Sequence, residues 1–298
     1  MFDLRYHVAS LAAVFFALVI GILVGVALAS HGLGNTERSR LEEDLRRAES
    51  QSEDLNNKVD ALTKRGGAEH AFVEATYKSV MANRLKGKKI ALLFVGSADS
   101  HVRSLVAHAL SDAGAPGQPL RIRALSVPID AAKLEQQLAK RPALADYADP
   151  DQLKNLGQAL GQEFVVGTET PLWSALQNLI VEETFGPSKR PVDGVVIVRT
   201  VEPQNDPTAS FLQGLYAGLA DAGVPAIGVE RSSDDASVIG VFKKAGLSTV
   251  DDIDTPVGKV ALVALLSDPL LKGSYGTKES AQLPLPTPIA PVTATAGG

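Results

Sequence analysis

The chain begins with a long apolar run. Residues Val8 to Ser30 carry no charged side chain. At about 1.5 Å of rise per residue, a helix over this run covers the roughly 30 Å hydrocarbon core of a bilayer. A helix that is apolar on every side is typical of a membrane span. We therefore predict that residues 1–30 form a short N-terminal tail and a retained transmembrane anchor.

A cleaved signal peptide is the alternative interpretation of this run. Ala27-Leu28-Ala29 resembles a small-x-small cleavage site before Ser30, and Arg5 would be the charge of the n-region. The apolar core of a signal peptide is usually about 7–15 residues long. The greater length of this run favours a retained anchor.

Small residues recur every four positions within the anchor, and these positions share one helix face. Such a stripe lets two membrane helices approach closely, so it predicts helix pairing, although glycine and alanine are also common in membrane helices for other reasons. The stripe consists of Ala17, Gly21, Gly25 and Ala29.

A heptad pattern follows the anchor and predicts a coiled-coil stalk over residues 31–67. Asp44 would face Glu49 of a second copy, so a different protein is an alternative partner to a homo-oligomer. A single amphipathic helix packed on its own domain is a third interpretation. We expect Gly66-Gly67 to end the stalk and a separate helix to run from Glu69 to Leu85. The core positions are Leu41, Ala48, Leu55 and Leu62 at d, with Leu45, Ser52 and Val59 at a.

The charges beside the anchor leave its orientation open. The N-terminal side offers Arg5, whereas the other side has several arginines interspersed with acidic residues, from Glu37 to Arg47. Counting arginines favours a cytoplasmic C-terminal side, but a long domain translocates despite flanking charge. We expect a single-pass cell-membrane protein whose soluble domain is extracytoplasmic.

Buried strands and helices alternate from residue 68 to 282, which predicts an α/β domain with a Rossmann-like, mostly parallel sheet. Residues 283–298 read as a disordered Pro/Thr tail. The expected strands are Ile90–Val95, Leu120–Val127, Val192–Thr200, Pro225–Glu230 and Ser248–Ile253. The expected helices are His101–Ala113, Ala131–Leu138, Pro150–Leu160, Leu172–Glu183, Ala209–Ala222, Asp235–Ala245 and Pro256–Leu266.

Composition excludes several kinds of chemistry. The chain has no cysteine, so disulfides, thiolate nucleophiles and thiolate metal sites are impossible. Its net charge of −5 argues against a nucleic-acid partner. It also lacks Gly-x-Gly-x-x-Gly, P-loop, His-Glu-x-x-His and Gly-x-Ser-x-Gly motifs. We therefore predict no enzyme, no catalytic residue and no cofactor-binding residue.

Two sets of residues are weak metal candidates. His101 and His108 follow Asp99 after the first strand, but seven helical residues separate them by about 10.5 Å along the axis. Asp99 or Ser100 serves equally well as a helix cap. A second set, Asp251, Asp252 and Asp254, offers ligands for a hard cation, although such residues more often cap helices and strand ends. For the Glu230-Arg231 pair, at a strand end, a functional role and a purely structural role are equally open.

Motifs at both ends of the chain resemble the MctB-type copper transporter family of actinobacterial envelope proteins. They are Met1-Phe2-Asp3-Leu4-Arg5-Tyr6-His7 with Ser10-Leu11-Ala12-Ala13-Val14-Phe15, and Ser248-Thr249-Val250-Asp251-Asp252-Ile253-Asp254 with Gly258 and Gly273-x-Tyr275-Gly276-Thr277.

The resemblance implies a membrane-anchored envelope protein with a role in copper homeostasis or transport. Copper is implied by this resemblance alone. Cu(I) prefers sulfur ligands, and Met81 is the one sulfur residue after the anchor. One membrane helix does not line a pore, so a channel would require an oligomer. The alternative function is a coiled-coil scaffold or regulator that recruits a cell-envelope or division partner. The expected partners are therefore the lipid bilayer and a second copy or another coiled-coil protein.

Overall fold

The computed structural model describes residues 4–234 and 236–287, except for the side chains of residues 4–7 and 29–36. The chain divides into two compact units, Met1–His70 and Ala71–Gly298. A single helix, α1, spans Leu4–Met81 and supplies all the described secondary structure of the first unit.

The apolar run lies in α1. Residues Val8–Leu28 form one helical stretch long and apolar enough to cross a membrane, and none of it is buried within the protein. The prediction of one N-terminal apolar helix is therefore confirmed.

The expectation of a separate helix after Gly66-Gly67 is wrong, because α1 continues through both residues to Met81. The end of the coiled-coil stalk at these glycines stays a prediction. A glycine inside a helix costs about 1 kcal/mol relative to alanine, so two of them weaken a helix without necessarily breaking it. An ion pair spans the weak point, since Arg65 Nε lies 2.9 Å from Glu69 Oε1 one turn later. The expected helix from Glu69 to Leu85 forms the last part of α1 only as far as Met81, so its predicted end is four residues too late.

The second unit contains a seven-stranded sheet in the order β3-β2-β1-β4-β5-β6-β7. All neighbouring strands are parallel except β2 and β3. The prediction of an α/β protein with a mostly parallel sheet is therefore confirmed. The strands are β1 Ile90–Val95, β2 Arg121–Leu125, β3 Val181–Phe185, β4 Gly194–Arg199, β5 Ala226–Val229, β6 Ser248–Val250 and β7 Ser274–Tyr275.

Helices cover both faces of the sheet, and successive side chains of each strand enter opposite layers. Along β4, Val195 and Ile197 enter one core while Val196 and Val198 enter the other. The helices after α1 are α2 Ser100–Asp112, α3 Ala131–Ala139, α4 Leu153–Val166, α5 Pro171–Ile180, α6 Thr208–Ala220, α7 Ile239–Lys244 and α8 Pro256–Ser267, with 3-10 turns at Pro142–Ala148 and Pro150–Gln152.

The predicted helix Leu172–Glu183 is too long. Helix α5 ends at Ile180, and the next five residues form β3, antiparallel to β2 at the sheet edge. Val181, Thr184 and Phe185 are β-branched or aromatic, which favours a strand. The pattern of β7 was not recognised because two residues are too few to show periodicity.

The predicted helix Asp235–Ala245 is also too long, since α7 begins at Ile239. Asp235 lies outside the described residues. The carboxylate of Glu230 accepts hydrogen bonds from Ser237 Oγ and Val238 N, at 2.8 and 2.9 Å. These bonds hold the segment before α7 in a loop. Similarly, the predicted helix Pro150–Leu160 starts as a 3-10 turn before α4.

The start of the predicted tail contacts the domain. Leu283 forms a parallel bridge with Tyr275, and Gly276 N donates to Leu283 O at 3.1 Å. Residues 288–298 lie outside the described part of the chain, so disorder there stays a prediction.

Candidate functional site

The carboxyl edge of the parallel sheet holds the best candidate site. Strand order reverses at β1, because β2 lies on one side of it and β4 on the other. The connections after two such strands diverge and leave a crevice, which is where open α/β sheets bind ligands. Here a cleft of about 440 Å³ is lined by residues at or after the ends of β1, β4 and β5. Its charged lining residues are Asp99, Arg199, Glu202, Glu230, Arg231 and Asp234.

A glycine lets the loops after β1 and β4 meet beside this cleft. Gly96 has φ +101°, which favours glycine, and a Cβ there would lie 2.5 Å from Thr200 Oγ1. Thr200 Oγ1 in turn donates to Ser97 O at 2.9 Å. A larger residue at position 96 would therefore separate the two loops.

The residues after β1 cap a helix. Asp99 Oδ1 accepts hydrogen bonds from His101 N and Val102 N at 2.8 and 3.1 Å, so it is the N-cap of α2. His101 and His108 are both exposed on this helix. The structure therefore uses Asp99 as a cap, and it buries neither histidine in the cleft.

An ion pair neutralises Arg231 at the cleft. Its Nη2 lies 2.8 Å from Asp234 Oδ1, and its Nε donates to the same oxygen at 3.0 Å. The hydrogen bond and charge of Asp234 raise the pKa of Arg231, and the charges of Asp99 and Asp254 act in the same direction. Arg231 is therefore surrounded by acidic groups, which disfavours an anionic ligand beside it.

The acidic cluster after β6 fastens loops. Asp251 accepts from Thr277 N at 2.9 Å and from Ser280 Oγ at 2.8 Å. Asp254 accepts from Ser232 N and Oγ at 2.7 and 2.5 Å. Capping and loop fastening thus account for two of the three carboxylates.

Asp252 differs from its neighbours. Its side chain is fully buried, and its Oδ2 accepts from Thr255 Oγ1 at 3.2 Å. Its Oδ1 has no hydrogen-bond partner among the described residues. Burial raises the pKa of Asp252 to about 6, opposed by the Thr255 hydrogen bond and reinforced by the negative charges of Asp251 and Asp254.

The glycine of the late Gly-Thr motif packs on this cluster. Gly276 has φ +139°, and a Cβ there would lie 1.8 Å from Asp251 Oδ1 and 3.1 Å from Asp252 Oδ1. No other residue fits without displacing both carboxylates. The close approach of this loop to the two carboxylates therefore explains the glycine of the motif, and the sequence alone does not show that approach.

The sequence did not reveal the pairing of Glu230 with Lys278. Lys278 Nζ lies 2.8 Å from Glu230 Oε1 and donates to Asp234 O at the same distance. The two side chains are 20% and 3% exposed, respectively. Glu230 closes a strand, which marked it as a candidate, but no spacing connects it with a lysine 48 positions later.

The described residues offer few ligands for a metal. No group of three or more His, Cys, Asp or Glu side chains converges there to hold an ion. Met81 is fully buried in the core, so its thioether is not presented to solvent.

The predicted association surfaces of α1 are exposed. A Cβ built at Gly21 or Gly25 meets no atom within 4 Å, and Ala17 is exposed; the side chain of Ala29 lies outside the described residues. Ala48 and Ser52 are exposed too. The large seam residues Leu41, Leu45, Leu55, Val59 and Leu62 are 58–68% exposed. Pairing through either surface stays a prediction.

Comparison with known proteins supplies the family. The model described as "Copper transport outer membrane protein, MctB" matches residues 1–286. No individual curated protein matches the chain. The match covers the apolar helix, the rest of α1 and the whole α/β sheet. The chain therefore belongs to the MctB family of copper transport outer membrane proteins.

Proposed function

We propose that this chain is a membrane-anchored envelope protein that acts in copper homeostasis or transport, with its α/β domain outside the cytoplasm. The observation that carries the proposal is the match over residues 1–286 to a family described by copper transport. The apolar helix at Val8–Leu28 supports attachment to a membrane.

The shortage of copper ligands in one chain supports a copper role that requires an assembly of several chains. The sequence has no cysteine, and the thioether of Met81 is fully buried. Soft Cu(I) sites use thiolate or thioether sulfur, so a single α/β domain lacks the usual ligands. One membrane helix does not enclose a pathway, so transport would require several chains around it. In this proposal the copper role therefore depends on association.

The seam of α1 supports parallel association of two or more copies. Burying a leucine contributes about 1.5–3 kcal/mol, so Leu55 and Leu62 together give a substantial driving force. The expected repulsion between Asp44 and Glu49 is reduced, because Arg47 Nη1 lies 3.8 Å from Asp44 Oδ1 on the same helix. The small-residue stripe of the anchor adds a second contact in the bilayer.

A scaffold that recruits an envelope or division partner is the second candidate function. The observation that favours it is the occupation of the carboxyl edge, where Asp99, Asp251 and Asp254 already accept hydrogen bonds from backbone and hydroxyl donors. The exposed seam would then pair with another coiled-coil protein. Neither candidate includes a catalytic step.

A deletion strain separates the two functions. Cell-associated copper is measured by elemental mass spectrometry under copper load, and septa are imaged in the same cultures. The proposal predicts altered copper content, normal septa and recovery when the full chain is restored. Unchanged copper with abnormal septa would contradict it and favour the scaffold.

A further inference from the structure

Arg199 is a buried arginine at the carboxyl end of β4. Alternation along the strand places it on the same face as Val195 and Ile197. Only 9% of the residue is exposed. Its Nε donates to Val201 O at 2.9 Å and its Nη2 donates to Glu202 O at 2.7 Å. These bonds fix the guanidinium against the loop after β4.

Arg199 has no acidic partner. No described carboxylate lies within 4.0 Å of its guanidinium, and its described hydrogen bonds run from Nε and Nη2 to backbone carbonyl oxygens. Arg121 is a useful contrast, because its Nε, Nη1 and Nη2 all donate to backbone carbonyl oxygens. A buried cation is costly unless its donors are satisfied. Because no described carboxylate neutralises Arg199, its positive charge is available to attract an anion.

A cavity adjoins this guanidinium. It measures about 170 Å³ and lies between α6, α7 and the loop after β4. Lys244 is exposed at its edge, and no acidic residue lines it. Most of the wall is apolar: Pro203, Ala209, Leu212, Val241 and Ala245.

Tyr216 indicates that the charge of Arg199 faces this cavity. Tyr216 lines the cavity from α6, and its buried hydroxyl has no hydrogen-bond partner among the described residues. Burial raises the pKa of Tyr216 to about 12, and the nearby Arg199 opposes that rise. The guanidinium therefore lies on the α6 side of the sheet, together with Lys244.

We propose that this cavity binds a small organic anion whose carboxylate contacts Arg199 and whose apolar body packs between α6 and α7. An apolar cavity of about 150 Å³ accommodates benzene, so this one suits a ligand with roughly six to nine non-hydrogen atoms. The two cations attract the carboxylate, and the apolar wall replaces water around the body. The site is independent of the proposed copper role.

Calorimetric titration of the full chain in nanodiscs tests the site, with benzoate as the probe and empty nanodiscs as the blank. Benzamide has nearly the same shape without the charge. We expect saturable binding of one benzoate per chain and at least about tenfold weaker binding of benzamide. Pentanoate provides a second carboxylate of similar size. Failure of both carboxylates to bind would overturn the proposal, and so would equal binding of benzoate and benzamide.

Three variants and one control locate the binding. Arg199→Gln should weaken benzoate binding at least about tenfold, and Lys244→Gln a few-fold. Ala209→Leu fills the cavity and should abolish binding without touching the Arg199 loop contacts, so it decides the matter if Arg199→Gln does not fold. Lys140→Gln removes an exposed charge elsewhere and should change nothing. Benzoate binding that survives both Lys244→Gln and Ala209→Leu would show that the ligand binds elsewhere.

Discussion

Lys278 donates from Nζ to Oε1 of Glu230 at 2.8 Å and so ties the segment after β7 to the end of β5. Glu230 is almost completely buried, so loss of its cation leaves an uncompensated carboxylate. We predict that Lys278→Met lowers the free energy of unfolding by about 3 kcal/mol. Urea unfolding followed by the fluorescence of Trp173, the single tryptophan, measures this change.

The double variant Glu230→Gln/Lys278→Met controls for this loss. It removes both charges, so it should recover a large part of the stability lost in the single variant. Lys140→Met, at an exposed position, should be nearly neutral. A Lys278→Met protein as stable as the Lys140→Met protein would contradict this account of the pair.

Asp252 should make stability depend on pH. Its pKa is about 6 in the folded protein, against about 3.9 in an unfolded chain, so folding favours the protonated form. Stability from this group is greatest below about pH 4, declines between about pH 4 and 6, and is constant above that range. The expected loss is on the order of 3 kcal/mol.

Asp252→Asn tests this dependence with little change of shape. The amide carries no charge, and its carbonyl oxygen can still accept the hydrogen bond from Thr255 Oγ1. We expect Asp252→Asn to be more stable than the original protein at pH 7, and to have a flatter stability profile between pH 4 and 6. Asp146→Asn, which changes an exposed carboxylate, is the matched control. Identical profiles for the original protein and Asp252→Asn would refute the assignment.

Much of the fold was predictable from local patterns. The strand Ile90–Val95 was predicted with its observed limits, because a strand buried on both faces is continuously apolar. Thr255 and Pro256 marked the start of α8 by their capping chemistry. Strands β3 and β7 were not recognised. Strand β7 has only two residues, which is too short to show a pattern, and β3 is an edge strand that follows α5 directly, so no turn residues mark its start.

The candidate site was only partly predictable. Asp99 and the acidic cluster were recognised as capping candidates, and the structure uses them to bind nearby donors. The pairing of Lys278 with Glu230, and the place of Tyr216 in the same cavity as Arg199, were not recognised. Tertiary contacts join such residues without any fixed spacing in the sequence. Likewise, Gly66-Gly67 has the local pattern of a helix end, but local propensity is a small energy that neighbouring interactions outweigh.

The glycine stripe of the anchor should support association. Leu at position 21 or 25 would hold two backbones apart, so Gly21→Leu and Gly25→Leu should each reduce pairing by roughly fivefold, or about 1 kcal/mol. Chemical cross-linking in membranes measures the paired fraction. Ala12→Leu is the matched control, because position 12 lies on the opposite helix face at about 100° per residue. Equal cross-linking in all three variants would exclude the stripe as a contact.

The full chain should bind Cu(I) weakly in solution. It has no thiolate, and of its two thioethers, those of Met1 and Met81, burial removes Met81 from the available ligands, so a single chain offers at most one sulfur. In competition with a Cu(I) chelator, we expect no stoichiometric binding tighter than about micromolar. His101→Ala and His108→Ala are the informative variants. Tight binding that disappears in either variant would show that these histidines form a metal site, for example between two chains.

Complementation of the deletion strain tests directly whether the copper role depends on the α1 seam. The deletion strain is complemented with either Leu55→Asp/Leu62→Asp, which places two charges in the seam, or Ser50→Asp/Asn57→Asp, which places two on the opposite face. Cell-associated copper under copper load is then measured. We predict that the second variant restores normal copper content and the first does not, although both reach the membrane in equal amounts. Equal restoration by both variants would contradict the proposed dependence on the seam.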